Sequence, residues 1–239
     1  MRRTRVLLLS LVGIVGGISA GGHAADSAPR ATVSSDSWEF GYVPQKSEVN
    51  HTFYLHNTGS APLSVTEIKP GCSCTSVSKV DRPIAPGDSV AVVVTFKSGR
   101  YQGRVKKTTK VHTDDPETPV QPLHILARVV KPEDPTGNIS VTPRKLAWRV
   151  EDTEGTTFTY ALKIASHDAD SVAVTMRHAA PGVVGQIPDR GAIAPGQEIA
   201  IPLSVSKTVD GETARGLSVT LAFVGRDTTI VTVPIEIRD

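Results

Sequence analysis

The tetrapeptide Ile84-Ala85-Pro86-Gly87 returns as Ile193-Ala194-Pro195-Gly196, 109 positions further along the chain. Under the same shift Val65-Thr66 meets Val174-Thr175, and Phe53 and Leu55 meet Leu162 and Ile164. A constant offset that keeps inward positions apolar identifies the second half as a degenerate copy of the first. The repetition is too short for a solenoid and suits a duplicated domain large enough to bury its own core.

What is copied reads as β structure. Over residues 48–56, His51, Phe53 and Leu55 share one face and Thr52, Tyr54 and His56 the other. Residues 89–96 put Val90, Val92, Val94 and Phe96 on one side, fed by the turn-forming stretch 83–88. Residues 104–113 and 123–130 complete the set, and no stretch sustains a helical period. Short alternating runs between regular turn signals predict an antiparallel sandwich. Lys131-Pro132-Glu133-Asp134-Pro135-Thr136-Gly137 has two prolines, three charges and no aliphatic residue, the composition of a short, stiff linker. The expected architecture is therefore all-β, with two tandem β-sandwiches at 31–131 and 138–239, joined by a linker at 132–137.

The amino terminus has a different character. Arg2, Arg3 and Arg5 precede an apolar run, and small residues follow through Ala24 and Ala25. That order is the pattern of a secretory signal peptide, expected over residues 1–24. The apolar run is too short and glycine-rich for a spanning helix, and no second such run occurs. A periplasmic or secreted location follows as the expectation, with no membrane span in the mature chain. Without those three arginines the chain carries 23 basic and 24 acidic residues. A near-neutral exported chain has no electrostatic reason to seek nucleic acid.

Both cysteines lie in Lys69-Pro70-Gly71-Cys72-Ser73-Cys74-Thr75. Position 72 falls on Pro181 under the 109 shift and position 74 on Val183, so the copy lacks the pair. In an extended strand residues two apart face the same way, near the upper limit of disulfide reach. A bridge needs a local bend, for which Pro70-Gly71 is the candidate. It closes three residues, worth about 1.6 kcal/mol by loop entropy. Three readings stay open for Cys72 and Cys74: inert packing residues, a reducible bridge or dithiol, and half of a soft-metal site for Cu(I) or Zn. A metal site would draw on His51, His56, His112 or His124. No metal is assigned on this basis, and no cofactor is expected.

The remaining candidates read as framework. His51 is expected as a hydrogen-bonded core histidine, and His56 and His112 as solvated. Asp114-Asp115-Pro116-Glu117 and Ser166-His167-Asp168-Ala169-Asp170 lack the glycine and distal glutamate of an EF-hand and read as turns. Arg100, Arg104, Lys106, Lys107 and Lys110 form a basic run. Lys106, Lys110 and His112 share one strand face, and Val105, Lys107, Thr109 and Val111 the other. A solvated sheet face is the default for that run, and a docking face for an acidic partner or polysaccharide the alternative. No hydrolase elbow, phosphate loop, zinc-protease helix or dinucleotide fingerprint occurs, so no catalytic residue is assigned and no enzyme is expected.

Several motifs then occur in a familiar order: Phe40-Gly41-Tyr42-Val43, His51-Thr52-Phe53, Asn57-Thr58-Gly59, Ala61-Pro62-Leu63, Cys72-Ser73-Cys74-Thr75, Pro83-Ile84-Ala85-Pro86-Gly87 and Thr113-Asp114-Asp115-Pro116. In that order they resemble the bacterial domain-of-unknown-function 1573 family. Its members are immunoglobulin-like modules similar to the Hydin-type (ASH) and major-sperm-protein sandwiches. The resemblance spans about residues 33–131 and implies an immunoglobulin-like fold and export. The family usually has glycine between its cysteines, where Ser73 stands here. It lends no catalytic residue. The functional expectation is an exported, non-catalytic binding or scaffold protein of the cell envelope, with a protein or envelope component as partner. The alternative is a periplasmic thiol redox or soft-metal-binding protein using Cys72 and Cys74.

Overall fold

A computed structural model describes residues 27–149, 156–188, 191–206 and 216–238. The expected signal peptide lies outside them. The described residues are all-β, and none of their segments is a helix long and apolar enough to cross a membrane.

In the first half the strands are β1 (Ala31–Val33), β2 (Ser37–Pro44), β3 (Glu48–Asn57), β4 (Val65–Pro70), β5 (Thr75–Val77), β6 (Ser89–Lys97), β7 (Gly103–Thr113) and β8 (Val120–Val130). In the second they are β9 (Ile139–Thr142), β10 (Leu146–Arg149), β11 (Thr157–Ser166), β12 (Val172–Ala179), β13 (Val183–Gly185), β14 (Ala192–Ile193), β15 (Glu198–Ser206), β16 (Ser218–Val224) and β17 (Thr228–Arg238). Adding 109 to the bounds of β3 and β6 lands on the bounds of β11 and β15. The copied tetrapeptide makes the same turn twice. Asp88 N–H donates to Ala85 O and Gln197 N–H to Ala194 O, both at 3.0 Å. Gly87 and Gly196 take φ of 81° and 68°, the left-handed third position of a type II turn after proline.

Each half buries its own core. The first gathers Phe40, Phe53, Leu55, Val92, Val94, Phe96 and Ile125, and the second Phe158, Leu162, Ile164, Leu203, Leu221 and Phe223, among others. Phe53, Leu55, Val92, Val94 and Phe96 are inward positions that the alternation singles out, and Leu162 and Ile164 those that the offset does. Each half contributes a small four-stranded sheet, ordered β1-β3-β6-β5 and β13-β15-β11-β9.

The second layer is shared. Among the described residues one sheet runs β14-β12-β16-β17-β2-β8-β7-β4 through both halves. Strand β10 pairs with β17 only over Leu146–Arg149, opposite Ile235–Arg238. The earlier part of β17 lies beside β2, parallel, with Val231 opposite Tyr42. A strand edge left open exposes unpaired N–H and C=O groups, and β2 covers this one. The join is a close one. A Cβ on Gly41, whose φ is +64°, would lie 2.1 Å from Ile230 O. Thr232 Oγ1 donates to Phe40 O at 2.6 Å and lies 2.8 Å from Thr220 Oγ1. Asn50 N–H donates to Gly216 O at 2.9 Å, tying β3 to the chain before β16.

Candidate functional site

Cys72 and Cys74 form a disulfide with Cα atoms 5.2 Å apart. It sits where the chain leaves β4, at the edge of the shared sheet, and enters β5, at the edge of the small sheet. The bend is not at Pro70-Gly71, which was its expected place, because Pro70 still pairs with Thr109 in the ladder. It is a turn over residues 72–75, with Thr75 N–H donating to Cys72 O at 3.2 Å. Gly71 serves close packing instead, since a Cβ there would lie 2.5 Å from Thr108 O. Ser73 has no positive φ; among the described residues Lys46 is the non-glycine that does. In the second half the crossing 109 positions on is made by Ala180-Pro181-Gly182-Val183, with Val183 N–H on Ala180 O at 2.9 Å and Gly182 at φ 78°. The disulfide thus stands where the second half uses a Pro-Gly turn.

Both cysteines are half-buried, and Cys74 packs against the first core. Cys72 Sγ lies 3.5 Å from Thr75 Oγ1. While bridged, neither sulfur is a thiolate ligand or nucleophile. The four histidines weighed as helpers do not gather there. His124 Nδ1 bonds Thr108 Oγ1 at 2.9 Å, and His56 pairs opposite Thr32 at the β1 edge. His112, expected in solvent, is half-buried opposite Glu67, and its Nε2 is enclosed without a partner among the described residues. No three metal-ligating side chains cluster among the described residues.

A second constellation lies at the seam between the halves. His51 points inward from β3, as its alternation requires, but it is stacked rather than hydrogen-bonded. Its ring lies 3.9 Å from Trp38 with planes 5° apart, and edge-on to Phe53 at 4.8 Å. His178, from β12 of the other half, meets Trp38 at 5.7 Å and His51 at 5.4 Å. The guanidinium of Arg177 lies 4.9 Å from the Trp38 ring centroid. Trp38 Nε1, His51 Nδ1, His178 Nε2 and Ser218 Oγ are buried without a hydrogen-bond partner among the described residues. Burial, then the nearby His178 and Arg177, lower the His51 pKa to about 3; burial lowers that of His178 too. Both imidazoles are therefore neutral at physiological pH. The alternation signals His51, but nothing local in the sequence ties it to Trp38, Arg177 or His178, because the two halves meet only in the fold.

The acidic turns behave as turns. Asp115 is 1% exposed, and its carboxylate accepts from Ala31 N–H (2.7 Å), Glu117 N–H (2.9 Å), Thr118 N–H (3.2 Å) and Thr118 Oγ1 (2.8 Å). Burial alone would raise its pKa, but these bonds hold it well below the usual carboxylate range. In the other turn Asp170 pairs with Arg226 at 2.8 Å, and Asp168 accepts from Asn138 at 3.3 Å.

The outer face of the shared sheet carries the basic run. Arg104, Lys106 and Lys110 are exposed there, with Arg128 directly opposite Arg104 and Lys69 opposite Lys110. Lys107 turns the other way and covers Tyr101, its ammonium 4.4 Å from the ring centroid. Arg104 and Arg128 also form one wall of an open cleft of about 790 Å³ at the seam, with Glu39, Tyr42, Arg226 and Asp227 around it.

Residues 31–129 match the family described as protein of unknown function (DUF1573). The matched stretch coincides with the first core and contains the disulfide, β2 and the basic face. The chain is similar to a solved protein of unknown function from Porphyromonas gingivalis W83, at 17% identity over 86% of this chain and 99% of that one, with a TM-score of 0.35. It is similar to an ASH/PapD-like domain of human CEP192 at 12% identity, covering 53% and 100%, with a TM-score of 0.35. It is similar also to the tandem Ig repeats of Dlar at 12% identity, covering 88% and 98%, with a TM-score of 0.36. No curated protein matches the chain.

Proposed function

We propose that this chain is an exported, non-catalytic binding or scaffold protein of the cell envelope, active in the periplasm or outside the cell. The observation that carries the reading is the shared sheet. Strand β2 of the matched stretch lies between β8 and β17, so two cores are held to one continuous surface. Such a join holds surface groups of both halves at set distances, which a binding module uses and a flexible tether would lose. The basic-to-apolar leader in residues 1–24 supports export.

The test has two arms. Intact mass of the chain recovered from a periplasmic or culture fraction reports cleavage near Ala24. Affinity capture from envelope extract with the full mature chain should return the same component repeatedly. Repeated failure to retain any component, together with turnover of a substrate by the purified chain, overturns the reading.

A second reading is favoured by one observation: the Cys72–Cys74 bridge is formed and half-exposed. On this reading the pair exchanges electrons with a partner dithiol, or binds a soft metal once reduced. Unchanged thiol-disulfide behaviour and metal content in Cys72→Ser and Cys74→Ser chains would eliminate it.

A further inference from the structure

The outer face of β4-β7-β8 pairs like charges across the ladder at two places. Arg104 stands opposite Arg128, and Lys69 opposite Lys110. Directly opposed side chains sit about 5 Å apart at Cβ, and like charges there are destabilising. Lys106 lies between the two pairs on the same face. Lys69 has a carboxylate neighbour, Glu67 at 2.7 Å. Arg104, Lys106, Lys110 and Arg128 have no carboxylate partner among the described residues. Glu67 and Glu39 are the acids of this face, so five cations meet two carboxylates.

Position along β7 gives the pattern a length. Arg104 and Lys110 are six residues apart, about 20 Å at strand rise. A single small anion cannot bridge that distance, whereas a chain with repeated charges can. The apolar groups of the face are scattered rather than gathered at its centre. Leu126, opposite Lys106, is half-buried, Tyr42 lies 5.3 Å under the Arg128 guanidinium, and Val120 stands opposite His112 at the far end. The positions between the cations are Thr108 and His124, bonded to each other. Protein interfaces need aromatic or aliphatic anchors in their centres, and single-stranded nucleic acids need stacking platforms. Double-stranded nucleic acid selects domains with strong net positive charge, which the chain without Arg2, Arg3 and Arg5, at 23 basic and 24 acidic residues, lacks. A hydrated polymer bound by ionic contacts and hydrogen bonds alone fits what remains.

We propose that the Lys69–Arg128 face of the shared sheet binds an anionic glycan, a polysaccharide carrying sulfate, phosphate or uronate groups, laid along β7 from Lys110 to Arg104. This rests on the binding-module reading and names its ligand class. The bound anions sit between the opposed cations and offset their repulsion. The Arg104/Arg128 end opens into the seam cleft, whose lining also holds Asp168, Arg226 and Asp227.

The test uses the full mature chain with dextran sulfate and polygalacturonate as probes, and with neutral dextran, duplex DNA and polyglutamate as comparators. Binding to both anionic glycans is expected, weakening with salt, and none to neutral dextran. Arg104→Gln with Arg128→Gln should cost about tenfold or more in affinity and flatten the log–log salt slope by about two. Lys106→Gln with Lys110→Gln should do the same, which guards against one pair failing for reasons of folding. Lys79→Gln with Lys163→Gln removes the same charge from exposed sites elsewhere and should cost less than about twofold. Equal losses in all three variants, or tighter binding of DNA or polyglutamate than of either glycan, overturn the proposal. If neither glycan binds while the chain still retains a component of envelope extract, the glycan assignment falls and the binding-module reading stands.

Discussion

The indole of Trp38 and the imidazole of His51 lie flat against each other, 3.9 Å between centroids and 5° from parallel, on strands of the two facing sheets of the first half. His178 and Arg177 of the second half close over this pair. The stack makes the seam sensitive to protons. With His51 lowered to about 3 from an ordinary value near 6.5, the unfolded chain binds the proton first. The stabilisation is complete above about pH 6.5 and declines as pH falls towards 3. Urea midpoints should drop steadily between pH 6.5 and 4, and His51→Phe should flatten that slope. An unchanged slope in the variant would place the acid sensitivity elsewhere.

Asp115 adds a second, lower step. Its folded-state pKa is depressed, so its contribution is present above the ordinary carboxylate range and is lost as pH falls through the folded value. Asp115→Asn keeps the shape but removes the charge that five donors address, among them Ala31 N–H at the start of β1 and the Arg30 guanidinium at 3.4 Å. A loss of about 3 kcal/mol is expected at neutral pH, measurable by urea unfolding.

Gly41→Ala should weaken the join between the halves. The added Cβ meets Ile230 O at 2.1 Å and demands a left-handed conformation that alanine resists. Together these should cost about 3 kcal/mol or more. Gly87→Ala is the comparison: its φ is +81°, but nothing lies within 4 Å of the new Cβ. It should cost about 1 kcal/mol. Similar losses in the two variants would mean that the β2–β17 approach adds nothing to stability.

The disulfide should matter little to the fold. A three-residue loop offers about 1.6 kcal/mol through the unfolded state. The double variant Cys72→Ser, Cys74→Ser should therefore unfold at a slightly lower urea concentration with an unchanged slope. A loss of more than about 4 kcal/mol would make the bridge a structural necessity, against the example of the second half, which crosses at Pro181-Gly182.

Much of this molecule is local, and local features are legible in a chain. The alternation of Val90, Val92, Val94 and Phe96 specifies a strand and its buried side because successive side chains must leave opposite faces. Pro86-Gly87 and Pro195-Gly196 specify two type II turns because proline presets one dihedral and glycine permits the other. The offset of 109 placed β11 and β15 from β3 and β6, and the resemblance of residues 33–131 rested on the same turns and inward positions. Cys72 and Cys74 were recognisable as a pair, but the turn that lets them bridge lies within residues 72–75 rather than before them.

What the sequence by itself determined is the all-β character of both halves, the repeated Pro-Gly turn, and the core-facing side of β3, β6 and, by the offset, β11. The tertiary structure alone decided how the halves meet. Strand β10 leaves part of β17 unpaired, and the backbone N–H and C=O groups of that edge are satisfied by β2, a strand nearly 190 residues away. That approach requires Gly41 and brings His178 and Arg177 over the Trp38–His51 stack; within the first half the register of β7 and β8 sets Arg128 beside Arg104. Register and docking are summed over many distant pairs, so no single stretch of sequence states them.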